Sequence, residues 1–324
     1  MTCPICSSKM SVPVQELFGL PSVTSDCRKW WSGRSVKICE GCGVMQRVIK
    51  ECVDFKSIYK NYVSYPEPEG RTRKILEFVK GKMPEPKRVL DIGAGTGDGM
   101  RTINGVYPDA IVFGYEPTIN PERPIDKFDL ITLFHVFEHV EDLHEMLSYI
   151  KSSLTENGHV LIQVPYTAMW PFDLVIADHE WHFTKAALMT LLNRCGFFVD
   201  YLENEIIKKE ITLFAHPAEV ASPIWIDGKS KNPPYDWLLS FKKKLDNVNE
   251  KVAVYGTSVS AMWTGNILGD KVSYYLDDDP KRRTNQFNGC MVYPPLFCGL
   301  PVVAPFPDWQ LPEIKKLHPE LKFL

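Results

Sequence analysis

Short apolar runs alternate with amphipathic stretches through the middle of this chain, and the pattern predicts strands alternating with helices. The apolar runs occupy residues 87–91, 110–115, 126–134 and 159–165. Runs of this length are typical of strands that are buried on both faces. Helical patterns occupy residues 71–79 (RTRKILEFV), 98–106, 142–154 and 185–195. The alternation predicts an α/β fold with a mainly parallel sheet.

A second, shorter set of elements follows near the C-terminus. Residues 231–249 predict a helix-rich connector, and residues 251–256 (KVAVYG) predict a strand that leads through a turn into a helix ending at Leu268. Residues 272–276 (VSYYL) predict the next strand. This order is typical of a second Rossmann-like βαβ unit. We therefore predict three domains, at residues 1–55, 56–220 and 221–324.

Composition limits the classes of protein to which the chain can belong. It has 324 residues, a formal net charge of −3 and 44% hydrophobic residues, which is ordinary for a soluble globular protein. The small negative charge argues against binding to nucleic acid or to an anionic membrane. The polar N-terminus and the lack of an 18-residue apolar run predict a cytoplasmic protein. We expect a monomer or a weak homodimer.

Four of the nine cysteines form two C-x-x-C pairs, Cys3 with Cys6 and Cys39 with Cys42. Two such pairs supply the four thiolates of a tetrahedral structural zinc site. The interval between the pairs is long for a zinc ribbon, so Cys27 is an alternative ligand. Unrelated thiols and a redox dithiol are the competing interpretations. An odd number of cysteines without a secretory signal argues against a disulfide framework.

The most specific motif is VLDIGAGTGDG at residues 89–99, where a predicted strand breaks into a glycine-rich turn. Glycine lets backbone N–H groups approach a ligand because no Cβ stands in the way. The spacing differs from the dinucleotide-binding G-x-G-x-x-G and resembles the first motif of class I S-adenosylmethionine (SAM) methyltransferases. This resemblance implies a Rossmann-like SAM domain with cofactor contacts from Asp91, Gly93, Ala94 and Gly95.

Two later strand ends complete the cofactor site that this resemblance implies. Glu116 ends the second strand, where an acid accepts hydrogen bonds from the ribose hydroxyls. Phe134 and His135 follow in a segment (FDLI…HVFEHV) that resembles the one beside the methionine part of the cofactor, although His135 and His139 could equally be satisfied by the backbone. Residues 117–127 are too few for the usual helix and third strand. We therefore expect a shortened sheet, with an open adenine side or a proline-rich loop covering it.

Residues 178–184 (DHEWHFT) place two histidines and two carboxylates just before a predicted helix. A carboxylate can orient a histidine and raise its basicity, as a general base requires. Thr184 is a suitable N-cap for the helix. The H-x-x-H spacing is also compatible with a metal site, although the pattern identifies no third ligand. A purely structural helix cap is the remaining interpretation.

The cysteine pairs, the SAM motif, the DHEWHFT segment and the C-terminal αβ unit resemble, in this order, the nucleotide-sugar C-methyltransferase family over nearly the whole chain. Members of that family add a methyl group to C3 of dTDP-linked 4-keto-deoxyhexoses. The resemblance implies that His179, beside Asp178, removes the C3 proton, and that Tyr62, with Tyr65 behind it, is a second proton-transfer candidate. The enolate then attacks the methyl group, a step that needs alignment rather than a metal. Ile176 stands where the family has a tyrosine.

The same resemblance implies that the C-terminal unit helps to hold the sugar nucleotide. The turn at residues 256–260 precedes a helix whose N-terminus could bind a diphosphate with help from Lys281 or Arg282, and a structural role is equally compatible. Ser260 replaces the family's lysine. The sequence thus predicts a SAM-dependent methyltransferase of a nucleotide-linked ketodeoxysugar, with C-methylation preferred. An O-methyltransferase, an inactive SAM-fold scaffold and a zinc-ribbon nucleic-acid binder are the alternatives.

Overall fold

The computed structural model describes residues 1–14, 17, 19–30, 35–48, 70–221, 234–283 and 286–324. The strands in chain order are β1 (Ser22–Val23), β2 (Lys29–Trp30), β3 (Val36–Ile38), β4 (Met45–Arg47), β5 (Arg88–Ile92), β6 (Ile111–Tyr115), β7 (Phe128–Phe134), β8 (Leu154–Pro165), β9 (Trp181–His182), β10 (Phe197–Glu203), β11 (Glu210–Pro217), β12 (Val252–Tyr255), β13 (Val272–Leu276), β14 (Val292–Tyr293) and β15 (Val302–Val303). The α-helices are α1 (Arg71–Val79), α2 (Asp98–Val106), α3 (Leu143–Ser153), α4 (Lys185–Arg194), α5 (Pro234–Asp246), α6 (Val259–Leu268) and α7 (Leu311–Leu317). None of the helices in these ranges combines the length and the apolarity needed to cross a bilayer.

The central sheet has six strands in the order β10-β11-β8-β7-β5-β6. β6, β5, β7 and β8 are parallel, and β11 is antiparallel to both β8 and β10. Leu90 and Ile131 are buried in the core on one face, and Val89 and Leu130 are buried in the core on the other. Both faces are apolar because helices cover both faces of a parallel sheet. The α/β fold predicted from the sequence is confirmed.

The connection from β6 to β7 is short, as predicted. Residues 117–127, all of which the structure describes, contain neither a helix nor a strand, so β6 is an edge strand. The connection is fastened to α3 instead. The Tyr149 hydroxyl donates to Pro124 O over 3.0 Å, and Arg123 forms an ion pair with Glu145. A loop therefore occupies the edge at which a third strand usually follows.

The small N-terminal sheet takes its third strand from the middle of the chain. β3 pairs with β4, and β9 adds to the other side of β4. Beside this junction the buried Arg47 and Glu180 form an ion pair, with 3.1 Å between Nη2 and Oε2. Arg47 also donates from Nη1 to Ala177 O over 2.8 Å. Because buried charges need partners, this pair fixes the segment before α4 to the N-terminal region.

A second core joins three regions of the chain. Trp263 of α6 is fully buried, lies 5.7 Å from the Phe172 ring, and donates from its indole N–H to Pro21 O over 2.8 Å. Phe172 belongs to a short 3-10 helix, Pro171–Val175, and Val23 of the N-terminal region lies in the same cluster. The parallel sheet β14-β13-β12-β15 contributes its apolar residues from the C-terminal side. The N-terminal, central and C-terminal regions therefore share apolar burial.

We expect Glu180→Gln to lower the free energy of unfolding by about 3 kcal/mol, because it leaves the buried Arg47 guanidinium without its counter-charge. Urea denaturation followed by circular dichroism measures the change. Glu77→Gln is the matched control, since it removes the partner of Arg73 from an exposed i,i+4 pair. That variant should lose less than about 0.5 kcal/mol. Equal losses in the two variants would contradict the importance of the buried pair.

Candidate active site and cysteine centre

The glycine-rich turn lies where β5 ends, at the carboxyl edge of the parallel strands. Gly93 N–H donates to Tyr115 O over 2.7 Å, which ties the turn to the end of β6. Gly93 has a φ of +75°, and a Cβ built there would lie 2.2 Å from Cγ2 of Val136, which follows β7. Only glycine allows the ends of these three strands to approach so closely. Ligands of open α/β sheets bind at this edge.

Asp91, a predicted cofactor residue, is buried beneath the turn. Its Oδ1 accepts from the Thr132 hydroxyl over 2.7 Å, and a Cβ built at Gly99 of α2 would lie 2.6 Å from its Oδ2. Burial raises the pKa of Asp91, and the negative charge of Glu116 raises it further. The hydrogen bond from Thr132 lowers it, and the result is a pKa of about 7. A cation bound beside this carboxyl group would favour its charged form.

Glu116 reaches over the turn from the end of β6. Its Oε2 accepts from Gly95 N–H over 3.2 Å, and its Oε1 accepts from the Thr118 N–H and hydroxyl over 3.1 and 2.7 Å. Ala94 N–H lies beneath it, donating to Tyr115 O over 3.3 Å. Asp91, Gly93, Ala94, Gly95 and Glu116, which the sequence predicts as cofactor contacts, thus lie together at this turn. A half-buried carboxylate beside a glycine turn fits a ligand that presents ribose hydroxyls.

His135, which follows Phe134 at the end of β7, has a strained backbone. Its φ is +54°, which is uncommon for any residue but glycine. Its Nδ1 lies 3.2 Å from Oε1 of Glu138, and its Nε2 lies 3.4 Å from Oε1 of Glu210. Burial alone would lower the pKa of His135, but the two glutamates raise it to about 9. The two glutamates therefore favour the protonated form of His135.

Two buried carboxylate oxygens beside this imidazole have no hydrogen-bond partner, namely Oε2 of Glu138 and Oε2 of Glu210. Arg71 Nη1 donates to the other oxygen of Glu210 over 2.8 Å. Buried polar atoms are normally paired, and unpaired ones indicate a position for water or a ligand. His135 and Arg71 balance the charges of the two glutamates. Neutral hydrogen-bonding groups, such as hydroxyls, therefore suit this point better than an ion.

His179 belongs to a buried group of hydrogen bonds centred on Asp173. Oδ1 of Asp173 lies 2.6 Å from Nδ1 of His179, and its Oδ2 lies 2.7 Å from Nδ1 of His182 and accepts from the Thr167 hydroxyl over 2.6 Å. Burial would raise the pKa of Asp173, but the two histidines hold it well below its usual range. Burial would lower the pKa of His179, and Asp173 raises it above its usual value. The carboxylate on Nδ1 makes Nε2 the nitrogen for proton transfer.

Asp178, the predicted partner of His179, bonds to the N-terminal region instead. Its two carboxylate oxygens accept from the Ser25 N–H over 2.8 Å and from the Ser25 hydroxyl over 2.5 Å. Its backbone oxygen accepts from Nδ1 of His139 over 2.9 Å. The His139 and His179 rings meet edge to face with centroids 4.7 Å apart. Burial and the charge of His179 lower the pKa of His139.

Sequence reasoning missed Asp173, Glu138 and Glu210. Asp173 stands in an apolar stretch, PFDLV, and an acid in such surroundings is the signal that could have identified it. Glu210 likewise begins an apolar strand, β11, where a buried acid needs a partner. The proton-transfer candidates Tyr62 and Tyr65 lie outside the described residues.

The four cysteines predicted to bind zinc come together. The Sγ atoms of Cys3 and Cys42 are 3.9 Å apart, those of Cys6 and Cys39 are 3.3 Å apart, and all four lie within 4.8 Å of one another. Tetrahedral zinc with ordinary Zn–S bonds would separate its sulfur ligands by about 3.8 Å. Two backbone N–H groups donate to Cys39 Sγ over 3.4 Å. The four thiols fit the ion, whereas Cys27 is buried in the second core.

Three basic side chains between the central sheet and the C-terminal unit, those of Arg71, Lys209 and Arg282, are near enough for their charges to influence one another. Burial lowers the pKa of Lys209; Glu210 opposes this fall, while the nearby charges of Arg71 and Arg282 add to it. Arg282 Nη1 donates over 3.3 Å to Thr257 O, in the turn between β12 and α6. Lys209 Nζ also lies 5.7 Å from the centroid of the Trp170 ring. Arg71 pairs with Glu210 and Arg282 lies 3.8 Å from Asp279, so the positive charge of this group is partly balanced.

Residues 67–202 match the family model described as a methyltransferase domain. The match covers the glycine turn, Glu116, the end of β7 and the DHEWHFT segment. The central region has the class I SAM-methyltransferase fold that the sequence predicted, without its third strand. No curated protein matches the chain.

The chain also resembles solved structures of several methyltransferases. Mitomycin 7-O-methyltransferase is 14% identical over 46% of this chain and 54% of its own, with a TM-score of 0.39. Human N-acetylserotonin methyltransferase is 15% identical over 46% of this chain and 52% of its own, with a TM-score of 0.39. The 1,6-didemethyltoxoflavin-N1-methyltransferase of Burkholderia thailandensis is 15% identical over 57% of this chain and 96% of its own, with a TM-score of 0.43. This chain spans about half the length of the first two.

We expect Asp91→Asn to stabilise the ligand-free protein at pH 8, because the buried wild-type carboxylate is charged at that pH and its charge destabilises the fold. In the folded protein the pKa of Asp91 is about 7, above its ordinary value of 3.8. The contribution of Asp91 to the free energy of unfolding is therefore complete below pH 3.8 and is lost as the pH rises through 7. The free energy of unfolding of Asp91→Asn should exceed that of the wild type by about 2–4 kcal/mol at pH 8, and this difference should vanish near pH 4. Urea unfolding at both pH values measures it. Asp126→Asn, at an exposed position, is the control and should show no such dependence.

Proposed function

We propose that this chain is a SAM-dependent methyltransferase that methylates a carbon atom of a nucleotide-linked ketodeoxysugar through an enolate. One observation carries the proposal. His179, with its Nδ1 bound by the buried carboxylate of Asp173, lies against the loop that follows β7. Glu180 N–H donates to Glu138 O over 2.9 Å and holds the two segments together. A histidine base at this edge of the sheet suits proton removal next to a carbonyl group.

The cofactor would lie on the glycine turn. SAM, when bound, supplies the electrophilic methyl group. Glu116 would accept hydrogen bonds from the ribose, and the backbone from Gly93 to Gly95 would allow its close approach. Asp91 beneath the turn and Phe134 with His135 at the end of β7 would line the methionine side.

The sugar-nucleotide part of the proposal is supported by charge. Lys209 and Arg282 place two cations beside the C-terminal unit, where they would bind a diphosphate and neutralise part of its charge. Trp170, beside Lys209, offers an aromatic surface. The unpaired polar atoms of Glu138 and Glu210 would accept from sugar hydroxyls. A neutral sugar between these basic side chains and the glycine turn fits this arrangement.

Proton removal would use the pair of His179 and Asp173. His179 Nε2 would accept the proton from the carbon next to the ketone, and the C–H electron pair would form the enolate. Asp173 would orient the imidazole and stabilise its protonated form. His135, whose protonated form the two glutamates favour, would be a suitable donor to the enolate oxygen. SAM held at the glycine turn would supply the methyl group for the enolate carbon, with its sulfur as the leaving group, and the residues around the turn would keep the two aligned.

Proton exchange in D2O tests the proposal without relying on turnover. The enzyme with S-adenosylhomocysteine and a dTDP-4-keto-deoxyhexose should introduce deuterium next to the ketone, and with SAM the product NMR spectrum should show a new C–CH3 signal. A methoxy signal without exchange would favour the O-methyltransferase alternative. Absence of any heat with SAM in calorimetry, with the fold intact, would favour an inactive scaffold.

We expect Asp173→Asn to move the acid limb of the kcat–pH profile to lower pH. In the wild type, kcat should rise as His179 loses its proton, through a pKa above the ordinary 6.5, because Asp173 raises that pKa. Removing the negative charge lowers the pKa, and lost orientation should reduce kcat by about 10²–10⁴-fold. Asp178→Asn is the comparison. The acid limb of its kcat–pH profile should move less, because Asp178 bonds to Ser25. A larger shift in Asp178→Asn would refute the assignment.

The four cysteines are proposed to hold a structural zinc ion. With all four ligands supplied by the protein, the ion would have no open position for catalysis. We expect Cys42→Ser to lose about one zinc per chain and to lower Tm by about 5–10 °C, because zinc binding contributes to folding. Zinc content by mass spectrometry and thermal unfolding measure the two effects. Cys27→Ser, at a buried thiol outside the cluster, should retain its zinc; retention in Cys42→Ser as well would exclude the site.

A further inference from the structure

Three side chains with metal-binding groups meet on the antiparallel side of the central sheet. His159 lies on β8, His216 on β11 and Asp200 on β10, which are neighbouring strands. Oδ2 of Asp200 lies 2.9 Å from Nδ1 of His216 and 3.9 Å from Nε2 of His159, and one donor atom of each residue lies within 4.8 Å of the other two. Bonds to a tetrahedral zinc ion would separate such atoms by about 3.4 Å. The three groups are therefore close to coordinating distances.

A β-bulge places the carboxylate in this group. Val199 is paired with Ala215 and Tyr201 with Phe214, so Asp200 is an extra residue without a partner of its own in the ladder. A bulge bends the strand and redirects side chains, and bulges are frequent next to functional sites. The bulge at Asp200 brings its carboxylate to the cross-strand pair of histidines, since Val160 pairs with Ala215 and His159 and His216 follow in register.

A hydrogen bond and a stacked ring fix the orientation of His159. Nδ1 of His159 lies 3.0 Å from Asn157 O and donates to it, so the lone pair of the neutral ring is on Nε2, the atom nearer Asp200. Metal-ligating histidines usually donate from their second nitrogen to a carbonyl or carboxylate in this way. The ring also stacks on Phe214 with centroids 4.7 Å apart and planes inclined by 9°. The imidazole is thus oriented before any ion binds.

The group is separate from both sites described above. His159 is in register with Leu130, near the start of β7, whereas the glycine turn lies at the opposite edge of the sheet. The cysteine centre packs on the face that carries Val160, and side chains alternate between faces, so His159 lies on the other face. The side chains of His159, Asp200 and His216 are 14%, 23% and 36% exposed, which allows an ion and water to enter.

We infer that His159, Asp200 and His216 form a second metal site, which takes one divalent first-row transition ion such as Zn²⁺ with water in the remaining position. Two imidazoles and one carboxylate are the donors that such ions prefer over Mg²⁺ or Ca²⁺. An ion here would join β8, β10 and β11 across the end of the sheet. The inference is independent of the proposed methyl transfer.

Calorimetric titration of the full chain with Ni²⁺ tests the site, after the cysteine centre has been loaded with one equivalent of zinc. The wild type should bind one further ion, and His159→Gln and His216→Gln should each weaken that binding at least tenfold. Co²⁺ bound at this site should show d–d absorption without a thiolate charge-transfer band. Added Zn²⁺ should raise Tm in the wild type and not in the double variant.

His318→Gln is the matched control, because His318 also lies beside two carboxylates, Asp278 and Glu320, but has no second histidine. It should bind Ni²⁺ as the wild type does. The inference is overturned if the wild type binds no ion beyond the cysteine zinc, or if both histidine variants bind as tightly as the wild type. Circular dichroism of each variant confirms that its fold is intact.

Discussion

Complete burial of residues 171–183 is the constraint on which the candidate site depends. This stretch carries two aspartates, one glutamate and two histidines into the interior, where each ionisable group must find a partner. The partners are Asp173 with His179 and His182, Asp178 with Ser25, and Glu180 with Arg47. Each of these contacts fixes the position of the next along the chain. The orientation of His179 is therefore a consequence of charge pairing throughout the segment.

Two buried aspartates show how partners rather than burial decide the charge of a group. Asp91 has one neutral donor and a neighbouring glutamate, and its pKa is raised to about 7. Asp173 is equally buried, but two imidazoles hold its pKa far below the usual range. The two imidazoles thus favour the charged form of Asp173, whereas Asp91 can change its charge when a ligand brings a cation to the turn. Within one fold, the charge of Asp173 is favoured by its partners, whereas the charge of Asp91 responds to a bound ligand.

Local features of the site could be predicted from the sequence, and those that depend on tertiary pairing could not. The glycine turn and Glu116 were predictable because strand ends and glycine spacing are local, and the meeting of the four cysteines followed from their paired spacing. The short connection at 117–127 followed from length alone. The partner of His179 was not predictable, because the choice between Asp178 and Asp173 depends on how the buried segment folds back on itself. Adjacent sequence favoured Asp178, but Ser25 engages that carboxylate.

The association of Trp263 with Phe172 and Val23 was likewise invisible in the sequence, since apolar side chains do not specify their partners. Its consequence concerns motion. Large swings of a C-terminal unit about a hinge need an interface that separates at little cost, and here that movement would expose a tryptophan and the phenylalanine it packs on. The shared apolar core therefore opposes separation of the three regions. Entry and exit of any substrate must then depend on local movements of loops, not on opening and closing of whole domains.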